Sequence, residues 1–207
     1  MGLSQNTMTT WRCMLHTPIL LCSLFVLTIL VNVEAKNKTV YFAGGCFWCM
    51  EPVFDAIPGV TNTTVGYMGG KKETANYTHV SSGKTDHIEV IQVVYNPDTV
   101  AYGTLLDAFW KSIDPTDPTG QFADKGPHYQ TAIFIRTPAQ QTEAKASKER
   151  ILKSFDQPIA TLFLEETTFY PAEDYHQDYY QKNTTHYNAY KIGSGRADFL
   201  NRLWKNN

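Results

Sequence analysis

The sequence predicts an α/β or α+β domain, a mixed sheet covered by helices. Three observations carry this reading. Short runs of strand character alternate with segments of helical periodicity beyond residue 35. Apolar residues make up 43% of the chain and charged residues 18%, a balance that suits a packed core and excludes disordered or fibrous classes. Only two of the four cysteines, Cys46 and Cys49, lie beyond residue 35, so packing and not a disulfide framework must hold the fold.

The elements follow in order. Thr39 to Ala43 reads as a short strand, and Gly44-Gly45 turns it into a helix starting at Cys46. Pro52 conflicts with one continuous helix there, so a kink or restart is expected. Val60 to Val65 is a second strand, and residues 66–87 read as loop. Ile88 to Tyr95 is the clearest strand, ended by Asn96-Pro97-Asp98. Tyr102, Leu105, Leu106, Phe109, Trp110 and Ile113 share one helical face. A loop rich in Pro, Asp and Gly spans Asp114 to Pro127, and Thr131 to Ile135 is a strand. Thr137-Pro138 opens a helix, with Thr as N-cap and Pro at the first position. Ile159 to Leu164 is a further strand, and Glu173 to Lys182 a short helix after Pro171.

The first 35 residues stand apart. Met1 to Val33 carries no Asp or Glu, with Arg12 the one certain positive side chain, then an apolar run from Pro18 to Val31 and the small-residue site Val33-Glu34-Ala35. This describes a secretory signal peptide over residues 1–35. The run falls short of the roughly 20 apolar residues of a spanning helix; an uncleaved anchor is the alternative. Residues 36–207 are then one domain, periplasmic or secreted and free of the membrane after cleavage, read as a monomer. A formal net charge of −2 implies no field for nucleic acid.

The chemistry concentrates in Gly44-Gly45-Cys46-Phe47-Trp48-Cys49. Backbone N–H groups at a helix start favour a thiolate, so the Cys46 pKa is expected to fall. Cys46 and Cys49 lie one helical turn apart, within reach of a disulfide. A zinc half-site lacks its other two ligands. A thioredoxin-like Cys-x-x-Cys dithiol fits the spacing equally well, and a pair of inert buried cysteines is disfavoured by the flanking glycines. Glu89 shares a strand face with Ile91, Val93 and Tyr95. A carboxyl there is expected to have a raised pKa, as a general acid near neutral pH requires. Six of the twelve tyrosines crowd the C-terminal third and suit a pocket wall; His176, Tyr175, Tyr179 and Tyr180 read as packing over the site.

Gly44-Gly45-Cys46-Phe47-Trp48 resembles the signature of the A-type peptide methionine sulfoxide reductases. Gly66-Tyr67-Met68-Gly69-Gly70, Ser82 to Val90, Asp114 to Asp117, Asp124 to Tyr129 and Phe169 to Gln177 match further blocks, from about Val40 to Arg196. The resemblance implies a two-layer sandwich of ferredoxin-like plait type. It implies Cys46 as nucleophile, Glu89 as the acid that protonates the sulfoxide oxygen, Tyr77 and Tyr129 as phenols binding that oxygen, and Asp124 near the substrate backbone. Phe47 and Trp48 would hold the substrate methyl group. The substrates implied are oxidised proteins and free methionine sulfoxide, with no metal or organic cofactor and a thioredoxin-like protein as electron donor. Places where many members carry another cysteine hold Ala123 and Ser194 here, so Cys49 is left by elimination to resolve the oxidised Cys46. A thioredoxin- or DsbA-like thiol–disulfide exchanger and a non-enzymatic secreted binding module are the rival readings.

Overall fold

The computed structural model describes residues 1, 2 and 36–205; the expected signal segment lies outside them apart from its first two residues. Lys38–Gly44 forms β1, and Phe47–Asp55 forms α1. Val60–Met68 is β2, Tyr77–Val80 a single-turn α2, Ile88–Tyr95 β3 and Tyr102–Trp110 α3. A small hairpin, β4 (Gly120–Gln121) and β5 (Asp124–Lys125), precedes β6 (Thr131–Ile135) and α4 (Pro138–Leu152). Then come β7 (Leu162–Glu165), β8 (Tyr170–Pro171), α5 (Tyr179–Lys182), α6 (Thr184–Gly193) and α7 (Arg196–Lys205).

The six-stranded sheet runs β7-β6-β1-β3-β2-β8. Pairing is antiparallel throughout except between β6 and β7, so the sheet is mixed, as the alternating pattern predicts. The central strands read as near-continuous apolar runs because both faces are covered. Val40, Phe42, Ile91 and Val93 face the helices and pack with Phe54, Leu105, Leu106 and Phe109. Tyr41, Ala43, Val90 and Phe134 face the other way, against Leu164 and Phe169.

The differences from the sequence expectation have local causes. Helix α1 continues through Pro52 as one element. Strand β2 runs on to Met68, because Gly66 is a close-approach glycine and not a turn: a Cβ there would meet the Tyr170 carbonyl oxygen at 2.3 Å and the Phe169 ring at 2.5 Å. Strand β7 starts only at Leu162, since the Ala160 and Thr161 N–H groups donate to the Pro115 carbonyl at 2.7 and 3.3 Å. The helix expected over Glu173 to Lys182 is split into a turn of 3₁₀ helix (Asp174–His176) and α5. Gln177 there donates to the Val65 and Ala172 carbonyls and accepts from Val65 N–H, while Asp178, left-handed at φ 54°, donates its N–H to the buried Glu51. Helices α6 and α7 go beyond anything the periodicity announces.

Thr137 caps α4 as expected: its hydroxyl accepts from Gln140 N–H at 3.2 Å, and the Gln140 side chain accepts from Thr137 N–H at 3.1 Å. Thr137→Ala is expected to cost about 1 kcal/mol. Urea unfolding of the two proteins measures it; an unchanged midpoint would show that the cap is redundant here.

Candidate active site

The site is built where β1 ends. A Cβ on Gly44 would lie 2.3 Å from the Met50 sulfur, and one on Gly45, at φ 79°, would lie 2.5 Å from the Gln121 side chain. Only glycines bring the chain through this gap. Cys46 follows as the N-cap of α1, without a capping bond from its side chain.

The first free N–H of α1, that of Phe47, donates to Glu89 Oε2 at 3.0 Å. Helix α1 therefore directs its positive end at the carboxyl and not at the thiol. The expected fall in the Cys46 pKa is overturned. Burial, the hydrogen bond with Cys49 and the negative charge of Glu89 push Cys46 well above the ordinary thiol range, against a lowering hydrogen bond from Tyr190. Glu89, only 2% exposed, is raised to about 8 by burial, with the Phe47 N–H opposing. The raised carboxyl is as predicted, and near neutral pH this carboxyl keeps its proton.

A cavity of about 130 Å³ opens over the pair, lined by Cys46, Phe47, Trp48, Tyr77, Glu89, Asp124, Tyr129 and Tyr190. Every catalytic and substrate-binding residue expected from the sequence except Cys49 thus lines one cleft; of the residues expected to pack over it, His176 and Tyr179 stand behind Trp48, and none of the four lines it. Trp48 is held on two sides: its indole N–H donates to His176 Nδ1 at 3.1 Å, and its ring stacks on Tyr179 with centroids 3.8 Å apart. Accepting at Nδ1 keeps His176 neutral, in line with its burial-lowered pKa. Tyr77 is placed by Glu173, which accepts from Tyr77 N–H at 2.8 Å and from the Tyr67 hydroxyl at 3.0 Å. Burial raises the pKa of Tyr77 and Tyr129, so both phenols stay protonated donors.

Tyr190 is the member that residue reasoning missed. Its hydroxyl donates to Asp124 and interacts with Cys46, tying helix α6 to both. The crowding of tyrosines near the C-terminus was its only signal. Arg196 was missed too: buried, it donates to the Gly44 carbonyl at 2.9 Å and the Ser112 carbonyl at 2.7 Å, bracing the glycine turn.

Cys49 lies behind the nucleophile and outside the cleft. It is 3% exposed, its N–H donates to the Cys46 carbonyl at 3.0 Å, and both cysteines are free thiols. The hydrogen bond from Cys46 lowers Cys49 to about 7, with burial opposing and Arg196 assisting. An aromatic cleft, a nucleophilic sulfur, a protonated carboxyl beside it and a second, more acidic thiol behind it define a thiol-based oxidoreductase.

Comparison with known proteins specifies the class. Residues 38–207 match the family described as peptide methionine sulfoxide reductase. The chain is 47% identical over 171 residues to the peptide methionine sulfoxide reductase MsrA of Bacillus subtilis strain 168, covering 82% of this chain and 97% of that protein. Its fold is similar to the reduced form of Mxr1 from Saccharomyces cerevisiae, with a TM-score of 0.69 and 34% identity over 73% of this chain and 88% of that one. Mxr1 in complex with Trx2 is similar at a TM-score of 0.50 and 26% identity, covering 70% and 86%. The chain belongs to the peptide methionine sulfoxide reductase family.

Proposed function

We propose that this protein reduces the S epimer of methionine sulfoxide, free or in oxidised proteins, to methionine, and so repairs oxidised proteins. The observation that carries the reading is the buried, protonated Glu89 set beside the Cys46 sulfur in an aromatic cleft. The sulfoxide methyl group packs against Phe47 and Trp48, and its oxygen accepts from Tyr77, Tyr129 and Glu89. Cys46 attacks the sulfoxide sulfur while Glu89 protonates the oxygen. The S–O bond breaks, methionine leaves and Cys46 holds the oxygen as a sulfenic acid. The thiol proton given up by Cys46 returns to Glu89, so the step is neutral in protons. Two neighbouring anions are avoided at every stage, which is why a raised Cys46 pKa suits this chemistry. A DsbA-like exchanger needs the opposite, a nucleophile with a lowered pKa.

Cys49 then attacks the Cys46 sulfur, water leaves, and a Cys46–Cys49 disulfide forms. A thioredoxin-like dithiol restores both thiols, a role supported by the complex of Mxr1 with Trx2. No metal or organic cofactor enters the cycle. The segment over residues 1–35 directs the domain to a periplasmic or secreted location. The order β6-β1-β3-β2 within the sheet, with α1 and α3 as the crossovers, supports a two-layer plait of ferredoxin-like type.

Single-turnover assays on peptides carrying each pure epimer test the reading. The S epimer is expected to be reduced and the R epimer left, because fixed methyl and oxygen positions present only one hand of sulfur to Cys46. Equal rates would overturn it. Cys49→Ser is expected to stop after one turnover with a thioredoxin-like donor and to leave a sulfenic acid that dimedone traps at Cys46. Normal cycling in that variant would remove Cys49 from the pathway.

A further inference from the structure

Cys46 and Cys49 face different cavities. Beside the substrate cleft there is a second one, of about 320 Å³, bounded by α1, α3, α6 and α7. Cys49, Ala108, Lys111, Ser112, Lys191 and Arg196 line it, and none of its lining residues belongs to the substrate cleft. Its wall carries three cations and no carboxylate. Arg196 is fixed by the Gly44 and Ser112 carbonyls and stacks over Phe122 with its guanidinium 4.6 Å from the ring centroid. Lys111 and Lys191 have no ion pair among the described residues.

We propose that this cavity admits a low-molecular-weight anionic thiol, one carrying a carboxylate, which reduces the Cys46–Cys49 disulfide by attacking Cys49. The proposal rests on the Cys49-resolved cycle above. Its volume lies at the lower end of small-molecule sites, roughly 300–1,000 Å³. Cys49 is only 3% exposed at the base of this cavity, so the route to its sulfur suits a small thiol, in addition to the thioredoxin-like donor of the cycle above. The cations draw in the carboxylate and favour the attacking thiolate.

The reaction balances as ordinary exchange. The thiolate sulfur bonds to Cys49 Sγ, the Cys46–Cys49 bond breaks, and Cys46 leaves on the far side, toward Glu89, which supplies its proton and regains from solvent the one the attacking thiol gave up. A second molecule of the thiol then attacks the mixed disulfide at its own kind of sulfur and frees Cys49. Two thiols become one disulfide, and the two electrons reduce the protein.

The test starts from full-length protein oxidised with one equivalent of a methionine S-sulfoxide peptide, its disulfide confirmed by intact mass. Stopped-flow reduction is then compared for mercaptopropionate and the neutral mercaptoethanol, each corrected for its thiolate fraction. The expected result is a preference for the anionic thiol that shrinks as salt is added. In Lys111→Glu the ratio of the two rate constants should fall by about tenfold, and Lys111→Arg should restore it. Acid-quenched samples should carry the mixed disulfide on Cys49. An unchanged ratio in Lys111→Glu, or a mixed disulfide on Cys46, overturns the proposal while leaving the cycle intact. Failure of the first disulfide to form overturns both.

Discussion

Cys46→Ser is expected to abolish reduction of methionine sulfoxide, with a loss on the order of 10⁴-fold or more, as removal of a nucleophile brings elsewhere. The serine hydroxyl is a poor nucleophile toward sulfur and cannot take up the sulfoxide oxygen as a sulfenic acid. The substitution is close to isosteric at a position only 7% exposed and without a side-chain capping role, so the fold should persist. Its effect on Cys49 is informative as well. Cys49 owes its lowered pKa first to the hydrogen bond from Cys46. The serine hydroxyl is at least as strong a donor as the thiol it replaces, so the Cys49 thiol should stay lowered in this variant, which ultraviolet absorbance of the thiolate would check. Substantial turnover in Cys46→Ser would assign the nucleophile to Cys49 and invert the order of the two cysteines.

What the sequence made legible is unequal along the chain, and the reasons are physical. Strand β6 is an uninterrupted apolar and β-branched run, β3 is one broken only by Glu89 and Gln92, and both start and end where the pattern says. The capping pair Thr137-Pro138 places the start of α4 to the residue. Elements whose limits depend on distant partners were not legible. The late start of β7 is set by Pro115, and the break between the 3₁₀ turn and α5 by Glu51 and Val65. In the site, the cysteine motif and Glu89 announce themselves, the second as a carboxyl on an apolar strand face. Tyr77, Tyr129 and Asp124 were carried by resemblance, and the cleft brings all three together. The Cys46 pKa was misjudged because a helix start offers its N–H groups to whichever acceptor arrives, and nothing local says that Glu89, 42 residues on, takes the first one. Tyr190 and Arg196 were hidden for a related reason: they reach the site from helices that barely bury anything along their own length.

Glu89→Gln is expected to slow the first chemical step by about 10²–10⁴-fold while leaving substrate binding largely intact, the range for loss of a general acid. The amide keeps an oxygen that can accept from the Phe47 N–H, so the start of α1 should hold its place. What is lost is the transferable proton. In the wild type the Glu89 pKa is raised to about 8, chiefly by burial, so the acid form dominates below that pH and disappears above it. Single-turnover rates should therefore be flat on the acid side and fall as pH rises through about 8. In Glu89→Gln the rate should be low throughout and this limb should vanish. Stability gives a second, independent readout. The folded carboxyl holds its proton more tightly than the unfolded one, whose ordinary value is 4.5, so between 4.5 and about 8 the native state binds the extra proton. Its contribution to stability is thus fully present below the unfolded pKa and is lost as pH rises through the folded one. Denaturation midpoints of the wild type should decline across that window, and those of Glu89→Gln should decline less. A variant that retains both the wild-type rate and the alkaline limb would mean that the proton reaches the sulfoxide oxygen from elsewhere, with Tyr77, Tyr129 and Tyr190 the phenols that remain in the cleft.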